Sequence, residues 1–178
     1  NQAHAEYLEQ MAGKFFDLLQ KYHGLGERER LLLRLAAILH DCGKFISMSA
    51  PGECAYQIIM STEILGISHM EREMVASIVR YNTMELPNFR EFDGKLGNDE
   101  YLIVMKLAAI LRVCNALDRS HRQKFADMKL TIKDSNIVIT TAYPDNITLE
   151  KKTLQDKQDF FEEVYGLGFE IKQKKKKQ

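Results

Sequence analysis

The chain has 178 residues, 45% of them hydrophobic and 28% charged. That length suits one domain, or one with a small second unit, and the composition is that of a folded chain, not a disordered one. Lysine plus arginine and aspartate plus glutamate balance at 25 each, but five lysines fall within 172–178, so the body carries 20 bases against 25 acids, or −5, which gives no general case for nucleic-acid binding.

Residues 1–21 place Tyr7, Leu8, Met11, Phe15, Leu18 and Leu19 on one side of a helical repeat. Gly24 and Gly26 interrupt it. A second helix is expected over 27–41, apolar nearly all round after its first turn, with Gly43 as its C-cap. Pro51 and Gly52 mark an irregular stretch, and 54–65 reads as a helix ended by Gly66. Ser68 opens a capping box with Glu71, and the helix behind it runs to about Tyr81. Residues 82–98, with Pro87, Gly94 and Gly97, read as a long loop, and 99–118 as another apolar helix. LAAIL occurs at 35–39 and again at 107–111, where the Ala pairs suit close helix approach.

The pattern changes after about residue 125. MKLTIKD and NIVITTAY are β-type runs joined by a turn at 134–136. Residues 147–165 return to helix, Gly166 stops it, and Gly168–Ile171 suits a last strand. The expected fold is mainly α: a helical bundle over 1–124, a small ββαβ subdomain over 125–172 (α+β overall) and a basic tail at 173–178. That tail reads as a polyanion contact or as a solvated terminus.

Three cysteines without a CxxC pair argue for free thiols, a reducing compartment and hence a cytoplasmic location. No apolar run reaches the ~18 residues of a membrane span, and no signal peptide is visible. The start, NQAHAEYLEQ, is already helical and lacks an initiator Met, as expected of a segment of a longer protein.

Polar groups end the apolar helices. His40 and Asp41 close the second helix, Asp118 closes a later one, and His4 lies on the first. A buried carboxylate is costly unless paired, hydrogen-bonded or bound to a metal. Two imidazoles and two carboxylates would suit one divalent ion, with Mn, Zn, Ni and Fe not separable by ligand type. The bare H…HD…D spacing fits an end-of-helix polar pair as well. Lys44, Arg80, Arg119 and Arg122 are candidate phosphate ligands; helix capping or pairing with nearby acids is the alternative for Arg119 and Arg122.

LAAILHDCGKF, with His4 before it and ALDRSHR after it, resembles the HD domain superfamily. LLLRLAAILHDCGKFIS, YQIIMSTEILGISHMEREMVASIVRY and KLAAILRVCNALDRSHR together resemble the C-terminal region of the exopolyphosphatase / guanosine pentaphosphate phosphohydrolase family. In that family the phosphatase chemistry belongs to an N-terminal actin-like module, of which this chain shows no part. The resemblance implies His4, His40, Asp41 and Asp118 as metal ligands. Pro51, Gly52, Cys54 and Asn82 stand where many relatives have histidines, which argues against a two-metal site. One ion, or none with His40 hydrogen-bonded to Asp118, is left. The expected function is binding or guiding polyphosphate or a related phosphorylated ligand, as a homodimer, without hydrolysis by this part alone. The alternative is a mononuclear metal phosphohydrolase using Asp41 and Lys44.

Overall fold

A computed structural model describes residues 2–92 and 96–174. Helix α1 spans Gln2–Leu18, α2 Gln20–His23 and α3 Glu27–Leu39. A 3-10 turn follows at Cys42–Phe45, then α4 Pro51–Met60, α5 His69–Thr83 and α6 Asn98–Leu117. Strands β1 Lys129–Lys133 and β2 Asn136–Thr141 lead to α7 Thr148–Tyr165 and β3 Gly168–Gln173. The mainly helical fold with a small sheet is as expected. Lys175–Lys177 of the basic tail and Gly94 of the expected loop lie outside the described residues.

Apolar stripes drive the bundle. On α1 they bury Tyr7, Leu8, Met11 and Phe15, and His4 continues the same stripe one turn towards the N-terminus. Arg30 and Arg34 of α3 reach Asp17 and Glu9 of α1, so the two helices run antiparallel. Arg28 at the start of α3 holds Glu71 at the start of α5, so these two run side by side in the same direction. The start of α1 and the ends of α3 and α6 therefore meet at one end of the bundle. Ala36, Ala37, Ala108 and Ala109 of the paired LAAIL runs are fully buried there.

β1 and β2 form an antiparallel hairpin, and β3 returns parallel to β2 after α7, giving the order β1-β2-β3. Asp134 and Ser135 both take positive φ, as a two-residue hairpin turn requires. Ile137, Ile139 and Phe161 join the same apolar core as α1, α3, α5 and α6.

Four boundaries differ from the sequence reading. The first helix breaks at Leu19 and resumes as α2. The fourth begins at Pro51, not at residue 54, because proline suits a first helical position, where no backbone N–H is needed; it ends at Met60. Gly43 does not cap α3. It lies inside the 3-10 turn, against α4, where a Cβ would stand 1.9 Å from the Pro51 carbonyl oxygen. No helix among the described residues is long and apolar enough to cross a membrane.

Candidate metal centre

Three acceptor atoms converge at this end of the bundle. His40 Nε2 lies 3.2 Å from His4 Nε2 and 3.2 Å from Asp41 Oδ1. Each imidazole is oriented from its far side. His40 Nδ1 is 2.7 Å from the Ala37 carbonyl oxygen, which only accepts, so that ring carries its proton on Nδ1. His4 Nδ1 lies 2.6 Å from Asp118 Oδ2, and that carboxylate fixes the same tautomer. The two Nε2 atoms and the carboxylate oxygen then meet at a point where a shared cation, a proton or a metal ion, would join them.

His4, His40 and Asp41 each offer an atom within 4.8 Å of the others. Zinc-type bonds of about 2.0–2.2 Å at tetrahedral angles put neighbouring ligand atoms roughly 3.4 Å apart. The two 3.2 Å separations fit that spacing. Burial keeps the His40 imidazole below its ordinary pKa, although Asp41 and the Ala37 carbonyl oppose this. Burial thus favours the neutral ring, the form that a metal ion binds. Burial works against the charged form of Asp41, but Lys44 and His40 outweigh it and its pKa falls. Lys44 Nζ is 2.7 Å from Asp41 Oδ1, one 3-10 turn further on.

Asp118 stands one step back from these three. Oδ2 holds His4, and Oδ1 accepts the Gln123 backbone N–H at 2.8 Å. A carboxylate behind an imidazole in this way fixes the ring's tautomer and orientation. In place of the direct His40–Asp118 hydrogen bond of the metal-free alternative there is a chain, Asp118 to His4 to His40, because His4 lies between them. His121 stacks on His4 with ring centroids 3.8 Å apart and 11° between planes. Its positive φ and its seat on His4 carry no sequence signal.

The four candidate phosphate ligands have different surroundings. Lys44 is on Asp41. Arg80 pairs with Glu53 at 2.8 Å and lies over the rings of Tyr56 and Tyr81. Arg119 and Arg122 are exposed on the segment after α6, and Arg122 also lines a hollow of about 410 Å³ with Lys124, Tyr143 and Asn146. A larger cleft, about 560 Å³ between α6 and α7, holds none of the eight candidate residues.

No curated protein matches the chain. A family model described as Ppx/GppA phosphatase, domain III, matches residues 1–159, which takes in α1 through most of α7 and every residue of the centre. With nine-tenths of its length so matched, the chain belongs to the Ppx/GppA phosphatase family, in the part of it called domain III.

Proposed function

We propose that this chain binds polyphosphate or a related phosphate-rich ligand through a centre that holds one divalent ion on His4, His40 and Asp41, with Asp118 fixing His4. The observation that carries the reading is the convergence of Asp41 Oδ1 with two imidazole Nε2 atoms whose Nδ1 sides are already committed. Mn, Zn, Ni and Fe all suit two imidazoles and a carboxylate. Such an ion would supply Lewis acidity towards a phosphoryl oxygen. Lys44 sits at the edge of the centre, and the exposed Arg119 and Arg122 add forked donors for further phosphates along a chain.

The test is titration of long-chain polyphosphate into the purified chain with Mn(II), and again after EDTA. Binding that is lost in EDTA and in His40→Ala supports the reading. Binding indifferent to both would overturn it.

A second reading, a mononuclear phosphohydrolase, draws on the donor count. Three protein ligands leave positions open, as catalytic sites do, and Asp41 with Lys44 would position a phosphate ester. Orthophosphate released from polyphosphate by this chain alone, and not by His40→Ala, would favour it over pure binding.

Self-association belongs to the same proposal. Phe45, Ile46 and Met48 are 90, 67 and 78% exposed beside Lys44, an apolar run of the kind that a second copy covers. Sedimentation should show a dimer that Phe45→Ser combined with Met48→Ser turns into a monomer. A wild-type monomer at every concentration would remove this part.

A further inference from the structure

We propose that His121 is a further ligand of the centre, supplying a third imidazole to the ion held by His4, His40 and Asp41. The inference rests on the metal reading above. Two imidazoles and one carboxylate leave positions on the ion that a further protein donor can take. Asp118 is committed elsewhere: one oxygen holds His4 and the other holds the Gln123 N–H. The additional imidazole in contact with the group is His121, face to face with His4.

The segment that carries it is anchored to the same carboxylate residue. The His121 N–H donates to the Asp118 carbonyl oxygen at 2.9 Å, and the Gln123 N–H donates to its side chain at 2.8 Å. His121 and Gln123 both take positive φ, with values of 56° and 51°. A non-glycine residue adopts that region at a cost, and here two backbone bonds to Asp118 hold it. The backbone of His121 is thus fixed while its ring stays exposed. Its ring lies against His4, which places it beside the centre.

A ring parallel to His4 presents its face to it, whereas a ligand must present the in-plane lone pair. Ligation therefore requires the His121 side chain to turn. Exposure lets it do so without disturbing the core.

Cobalt(II) is the probe, because its visible absorption and X-ray absorption report coordination directly. The comparison is between the wild-type chain and His121→Phe, which keeps a flat ring against His4 but has no lone pair. Equal melting temperatures in EDTA check that both are folded. The expected result is three imidazoles on cobalt in the wild type and two in His121→Phe, with affinity about 10- to 100-fold weaker. Cobalt bound with the same imidazole count and affinity in both would overturn the inference and leave the three-donor site standing. A wild-type chain that takes up no cobalt would overturn the metal reading and this inference with it.

Discussion

A carboxylate accepts hydrogen bonds on both oxygens; an amide of the same size accepts on one. Asp118 is buried and uses both, Oδ2 for His4 and Oδ1 for the Gln123 N–H. Asp118→Asn therefore cannot satisfy both partners. If the amide oxygen stays on His4, the NH₂ group opposes the Gln123 N–H. If it turns round, the amide donates to His4 Nδ1, and the ring must carry its proton on Nε2, where it can no longer ligate. Either outcome leaves a buried group mispaired, at about 1–3 kcal/mol. We expect Asp118→Asn to melt lower in EDTA and to bind Mn(II) about 10- to 100-fold more weakly by calorimetry. Unchanged Mn(II) affinity would remove Asp118 from the centre.

At the scale of elements, the end of α3 is set by what packs on it. His40 and Asp41 reach the centre because the chain leaves α3, makes one 3-10 turn and meets α4 at Gly43. A methyl at Gly43 would lie 1.9 Å from the Pro51 oxygen and 2.6 Å from the Ala55 nitrogen, both backbone atoms that cannot swing aside. Gly43→Ala should destabilise the chain by about 1–3 kcal/mol in urea and weaken metal binding with it, since the turn carrying Asp41 must shift. The other ends of α3 and α5 are joined by Arg28 and Glu71. The Arg28 hydrogen bonds, then the Ser68 N–H, lower the Glu71 pKa to about 2 from an ordinary 4.5. A carboxylate depressed on folding stabilises the native state above its unfolded pKa and loses that contribution as pH falls towards the folded value. Urea midpoints should thus fall between about pH 4.5 and 2, and Glu71→Gln should flatten that part of the profile. An unchanged slope in the variant would assign the acid sensitivity elsewhere.

At the scale of the whole molecule, much of the bundle was legible in the sequence because its signals are local. The stripe from Tyr7 to Phe15, the Ser68 capping box, the hairpin turn and the stop at Gly166 each depend on neighbours a few residues away. His4, His40, Asp41 and Asp118 could be picked out because polar groups on apolar helices are conspicuous. Their order around the centre could not. Which oxygen of Asp118 meets which nitrogen, and that His121 lies on His4, depend on how the segment after α6 folds back over α1. Gly43 was misread for the same reason: the atom that forbids a side chain there belongs to another helix. A centre assembled from α1, α3 and the turn behind α3 has a consequence for the whole fold. An ion bound to the native state, and not to the unfolded chain, stabilises it by about 2.7 kcal/mol at a hundredfold excess over Kd. For a chain of this size that is roughly 5–10 °C in Tm. Addition of Mn(II) or Zn(II) should raise the melting temperature by that amount, EDTA should reverse it, and His40→Ala should show no response to either. The N-terminal turn of α1 should gain hydrogen-exchange protection in parallel, because His4 is its link to α3. A melting temperature blind to metal and chelator in the wild type would mean that the converging lone pairs are bridged by a proton, and the centre would then be a structural hydrogen-bond network.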